Sequence, residues 1–208
     1  MYYSNQGVSG KTTQDWLPAN TYYPNAKSAM TTLNTNNPAG QEVFSVMLGT
    51  NDSAISGPTG APVSNTTLTS NFDAIINQML TDFPNCKIFL HYPTWYAPNT
   101  HNTSDYEETG INRLIGYFPV IDAIVASYAT SNPGHVYAGD KKAFNYFAQK
   151  YSTAQTQEVG ATGYGDFYLH PNAAGAVTLG NYWATAIYNG LYSPALGASL
   201  TFGRRPIQ

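Results

Sequence analysis

Asn51 follows an apolar run, Val43-Phe44-Ser45-Val46-Met47-Leu48, after Gly49 and Thr50. An amide at the carboxyl end of a buried strand can donate to an oxygen that gains negative charge during acyl transfer. Gly-Thr-Asn-Asp is also sound turn chemistry, so the same residue could serve the loop alone. Far downstream lies Asp166-Phe167-Tyr168-Leu169-His170-Pro171-Asn172. A histidine oriented by a carboxylate is a general base, and Asp166 precedes His170 closely enough to be its partner. His-Pro-Asn leads into an Ala-rich segment, which places the imidazole at a helix start near solvent.

Other residues carry weaker signals. Gly10-Lys11-Thr12 looks like part of a phosphate-binding loop, but the first glycine of that motif would fall at Asn5. Gly7-Val8-Ser9-Gly10-Lys11 looks like a nucleophile elbow, but Lys11 replaces its last glycine. His91, His101 and His135 lack the short regular spacing of metal ligands, so no metal is expected. Trp95 and Tyr96 follow a strand on the side where a crevice should open. Their rings could stack on a sugar or cover an acyl group, or merely pack the loop.

These residues need a scaffold. Residues 2–6, 43–49, 87–92 and 135–138 read as strands. Leu68, Phe72, Ile75, Ile76, Met79 and Leu80 share one helical face. Leu114, Phe118, Ile121, Val125 and Tyr128 share another, which Pro119 should break or restart. Residues 172–188 read as a final helix with Val177, Trp183 and Ile187 inward. Strand–helix alternation implies an α/β fold, a three-layer α/β/α sandwich around a central parallel sheet. Ligands of such sheets bind outside the carboxyl ends of the strands, where Gly10 and Asn51 both fall. Residues 93–110 read as a long functional loop over that crevice. No domain boundary interrupts residues 1–208.

Composition narrows the partners. The chain has 208 residues, 10 % of them charged, and a net charge of −3. It lacks the basic patch that nucleic acid demands. No apolar run approaches the length of a membrane span. The first residues have neither the basic start nor the apolar centre of a signal peptide. Seventeen tyrosines in a polar, weakly charged sequence suit an extracellular or periplasmic protein that meets carbohydrate. Cys86 is the single cysteine, so no intrachain disulfide can form, and it reads as a buried structural thiol.

The segments around Gly10, Asn51 and His170 together resemble the SGNH (GDSL-type) esterase and lipase superfamily. The resemblance implies a flavodoxin-like α/β/α sandwich and no cofactor. Gly49-Thr50-Asn51-Asp52 matches its Gly-x-Asn-Asp motif, which makes Asn51 an oxyanion donor. Ser9-Gly10 matches the motif whose glycine N–H is another. His170 matches its base and Asp166 the orienting acid, although the family spaces that acid three residues before the histidine, where Phe167 stands here. The family's nucleophile motif, Gly-Asp-Ser-Leu, should precede the Gly10 segment and does not. Gly197-Ala198-Ser199-Leu200 resembles it, with Ala198 for Asp. One reading is a circular permutation that makes Ser199 the nucleophile. The other is a truncated domain with a chance Gly-Ala-Ser. The implied activity is serine-dependent hydrolysis of carboxylic esters, removing short acyl groups such as acetyl from carbohydrate. The rivals are a non-catalytic carbohydrate-binding or adhesion module and a lipase or transacylase.

Overall fold

The computed structural model describes residues 2–192. Three parallel strands form the main sheet: β1 (Val43–Val46), β2 (Lys87–Leu90) and β3 (Val136–Ala138), in the order β1-β2-β3. Phe44 pairs with Ile88, and Ile88 with Val136. Helix α1 (Tyr22–Asn36) precedes β1. Helix α2 (Asn65–Asp82) connects β1 to β2, and α3 (Glu107–Ser131) connects β2 to β3. Parallel neighbours require such crossovers, and the chain's apolar periodicity supplies them. The α/β class read from the sequence is therefore observed.

Helix α2 starts where the Ser64 hydroxyl accepts the Thr67 N–H at 3.1 Å. Its inward face carries Leu68, Phe72, Ile75, Ile76 and Met79. In α3, Glu107 and Glu108 lie in the first turn, where acidic groups oppose the helix dipole favourably. The helix runs through Pro119, contrary to the expected break. Ile111, Leu114 and Tyr117 are buried before the proline, and Ile121, Ile124 and Tyr128 after it. Burial on both sides of Pro119 outweighs the lost backbone hydrogen bond. This helix is also long and apolar enough to cross a membrane, but its apolar face is committed to the core it shares with Phe72, Ile88 and Leu90.

Three expectations change. Residues 2–6 form no strand: this polar segment has no regular structure, and Tyr2 and Tyr3 are exposed. The last helix, α5 (Ala173–Tyr192), starts one residue later than expected because Asn172 is its cap, with Asn172 Oδ1 accepting the Gly175 N–H at 3.0 Å. Val177 on that helix faces solvent, while Trp183 stacks on His91 with ring centres 4.4 Å apart. The third change matters most for chemistry. After α4 (Ala143–Ala154) the chain forms an antiparallel hairpin of β4 (Gln155–Val159) and β5 (Asp166–Pro171). His170 therefore lies in a strand, not at a helix start.

The hairpin is anchored from its inner side. Phe167 and Leu169 are buried. The Ala97 N–H donates to the Tyr168 carbonyl at 2.8 Å, and Gln155 Nε2 donates to the carbonyls of Trp95 and Leu169. The segment after β2 thus carries the hairpin.

Candidate functional site

Asn51, Asp52 and Ser53 form a single 3-10 turn just beyond β1. Gly49 enters it at φ 123°, and a Cβ there would come within 3.0 Å of Pro93. Only glycine accommodates both that dihedral and that contact. Three tyrosine hydroxyls then hold three successive residues. The Tyr106 hydroxyl donates to Asn51 Oδ1 at 2.7 Å. The Tyr117 hydroxyl lies 3.0 Å from the Asp52 carbonyl and 2.6 Å from that of Val63. The Tyr96 and Ser53 hydroxyls are 2.8 Å apart. Arg113 adds a donor to the Ser53 carbonyl at 2.5 Å.

The Gly10 segment is tied to this turn at two points. Asn51 Nδ2 donates to the Lys11 carbonyl at 3.1 Å across 40 residues of sequence. Fully buried Asp52 accepts both the N–H and the hydroxyl of Thr13. Asn71 Nδ2 donates to that same hydroxyl at 2.9 Å. Burial pushes the Asp52 carboxyl upward, and the Thr13 hydrogen bonds oppose the shift. Gly10 sits at φ 75°, in the left-handed region that glycine enters without strain. The structure therefore brings Gly10 and Asn51 to one place.

His170 sits at a β-bulge. Pro171 pairs with Gln155 and Tyr168 with Gln157, so β5 advances by one more residue than β4 between these pairs. Such bulges re-aim side chains. His170 Nδ1 lies 2.8 Å from Glu158 Oε1, and the His170 N–H donates to the same oxygen at 3.2 Å. A carboxylate on Nδ1 holds the proton there and leaves Nε2 as the basic nitrogen. The ring remains about half exposed (53 %).

Asp166 is not the partner of His170. Its carboxylate accepts from Gln157 Nε2 at 2.5 Å. Four residues along an extended strand span about 13 Å, too far for a side-chain contact. Glu158 is the residue that the motif reading missed. Its signal was the glycine-rich Gly160-Ala161-Thr162-Gly163-Tyr164-Gly165 between two short strands, a hairpin pattern that sets residues 157–158 beside residues 167–168.

Tyr96 is completely buried, so its ring cannot meet a substrate as expected. Trp95 is half-buried and leads a row of rings: its centre lies 5.5 Å from that of Tyr151, which lies 4.9 Å from that of Tyr168. Ser199 lies outside the described residues.

A serine–histidine pair elsewhere in the fold has the wrong polarity for catalysis. Ser45 Oγ and His91 Nε2 are 2.8 Å apart. However, His91 Nδ1 accepts the Asp140 N–H at 2.8 Å, so the single proton of the neutral ring sits on Nε2 and points at the serine. Burial pushes this imidazole down to about 4, which keeps it neutral. Elsewhere, His101 pairs with Asp105, and His135 Nδ1 lies 2.9 Å from the Cys86 carbonyl. Among the described residues, no three His, Cys, Asp or Glu side chains gather where they could hold a metal ion.

The turn presents an amide beside a left-handed glycine, and a separate hairpin carries a carboxylate-bound histidine; these are group types that acyl transfer uses. Searches of curated proteins and of solved structures found no match. The profile of the GDSL-like lipase/acylhydrolase family matches residues 1–177, most of the chain, and on that match the protein belongs to this family of ester hydrolases.

Proposed function

We propose that the protein is a serine-dependent esterase that removes short acyl groups, such as acetyl, from carbohydrate. One observation carries this reading: the hydrogen bond from Asn51 Nδ2 to the Lys11 carbonyl, which ties Asn51 to the residue after Gly10 and supports reading the two as oxyanion donors. In the reaction, Ser199 Oγ attacks the ester carbonyl and gives its proton to His170 Nε2. The negative oxygen is held by the second Asn51 amide hydrogen and by the Gly10 N–H. Collapse of the intermediate expels the alcohol, which takes the proton from His170. Water, deprotonated by His170, then releases the acid and restores the serine. Glu158 holds the ring in the required tautomer, the role first expected of Asp166.

In this reading the nucleophile motif is Gly197-Ala198-Ser199-Leu200, displaced to its position by a circular permutation. Among the described residues, β1 has a strand neighbour on one side only. The carbohydrate reading is supported by the aromatic row Trp95–Tyr151–Tyr168, whose last ring is two residues from His170. The composition that points to carbohydrate also favours an extracellular or periplasmic location.

The test is turnover of activated acetyl and longer acyl esters, with a phosphonate probe located by peptide mass spectrometry. Acetyl-selective turnover and an adduct on Ser199 support the proposal. An adduct on another residue overturns the permutation. Absence of both turnover and adduct, with carbohydrate binding retained, replaces the enzyme with a binding module.

A further inference from the structure

We infer that Tyr106 is a positioning residue that fixes the direction of the Asn51 amide, and so decides whether that amide can serve an oxyanion. The inference rests on the esterase reading for its catalytic consequence, but its geometry stands apart from that reading. The Lys11 carbonyl can only accept, so the group of Asn51 that faces it at 3.1 Å must be the NH₂. Oδ1 therefore faces Tyr106, and the hydroxyl 2.7 Å away must donate. Both orientational choices of the amide are thereby spent. One N–H goes to Lys11, the oxygen accepts from Tyr106, and one N–H remains to point away from both.

The hydroxyl suits this task. Tyr106 is 2 % exposed, and its ring meets that of Tyr96 edge-on with centres 4.9 Å apart. Burial first, and the nearby Asp52 charge second, push the phenol up to about 12, so it stays a donor at every pH where an esterase works. Without that donor only the Lys11 contact holds the amide, which is then free to swing about its χ2 axis and carry the remaining N–H away from the developing oxyanion. The positioning group comes from the residue just before α3, so the segment after β2 sets the oxyanion donor as well as the histidine hairpin.

The experiment compares wild type, Tyr106→Phe, Asn51→Ala and the double variant with an activated acetyl ester. Phenylalanine keeps the ring against Tyr96, so the fold should persist, checked by circular dichroism. Removing an oxyanion donor outright costs about 10²–10³ in kcat; misorienting it should cost roughly tenfold, with KM changed by less than about twofold. In the Asn51→Ala background, Tyr106→Phe should do nothing further. An unchanged kcat in Tyr106→Phe, or the same tenfold loss with and without Asn51, overturns the inference.

A second readout needs no turnover. The Asn51 side-chain amide signals, assigned by their loss in Asn51→Ala, should shift and lose exchange protection in Tyr106→Phe. Unmoved signals overturn the inference. If wild type shows no turnover while the signals move, the esterase reading fails and the Tyr106–Asn51 coupling stands.

Discussion

Thr13 and Asp52 are joined by three hydrogen bonds across 39 residues: the Thr13 N–H lies 3.0 and 3.1 Å from the two carboxylate oxygens, and the hydroxyl 2.5 Å from one of them. This pair ties the irregular Gly10 segment to the Asn51 turn. Both residues are fully buried, so removing Asp52 leaves the Thr13 N–H and hydroxyl hydrogen without their acceptor. Asp52→Ala should cost about 2–4 kcal/mol, because it strands two buried donors. Thr13→Val should cost less, roughly 1–3 kcal/mol, since its N–H bond to Asp52 survives. The double variant should lose less than the sum of the two, measured by urea unfolding. Strict additivity would show that the two residues act independently.

His91 makes stability depend on pH. Its folded-state pKa, near 4, lies below the ordinary 6.5 because burial penalises the cation. Between these values the unfolded chain takes up a proton that the folded chain refuses. Stability contributed by neutral His91 is therefore complete above pH 6.5 and is lost as pH falls toward 4. The upper bound is about 3 kcal/mol for this single group. Urea midpoints of wild type should fall between pH 7 and pH 5, and His91→Gln should flatten that slope. Because His91 Nε2 donates rather than accepts, Ser45→Ala should leave ester turnover unchanged. A loss of turnover in Ser45→Ala would reveal that the tautomer assignment is wrong.

The sequence made some of this legible and hid the rest for identifiable reasons. Strands β1 and β2 were readable as short apolar runs, and helix α2 because its apolar residues repeat at the period of one buried face. Asn51 and Gly10 stand out in the sequence because each lies in a motif closed within a few residues. The partner of His170 was not readable, because Glu158 is its neighbour across a hairpin rather than along the chain, and a bulge shifts the register that would have named it. Pro119 misled because local propensity is weak against six buried side chains spread along both sides of it. Tyr96 misled because its aromatic ring serves the Ser53 turn from inside.

Cys86 should be inert in the folded protein. It is fully buried, and burial, with a contribution from Glu42, pushes its thiol up to about 12. At pH 8 the thiolate fraction is on the order of 10⁻⁴, and the thiolate is the reactive species. Labelling by a thiol reagent should be negligible in native buffer and quantitative in denaturant. Rapid native labelling would place the thiol in a site open to solvent.

Glu158 and Asp166 make opposite predictions for two carboxylates on one hairpin. Glu158 Oε1 lies 2.8 Å from His170 Nδ1 and 3.2 Å from the His170 N–H, whereas Asp166 is engaged by Gln157. Glu158→Gln can present its amide oxygen to Nδ1–H, so the ring keeps its place, but the charge that stabilises the imidazolium disappears. Turnover of an activated ester should fall by about 10²-fold or more, judged against the larger effect of the equivalent change in serine proteases. Glu158→Ala should fall further, because the ring is then free to turn. Asp166→Asn should change kcat by less than about threefold, since Asp166 touches no group of the reaction in this geometry. His170→Ala should reduce turnover nearly to background and should mask the effect of Glu158→Gln in the double variant. The informative comparison is Glu158→Gln against Asp166→Asn, measured on the same ester and at the same pH. Equal and large losses would mean that the hairpin rearranges during turnover. A large loss in Asp166→Asn alone would return the orienting role to Asp166.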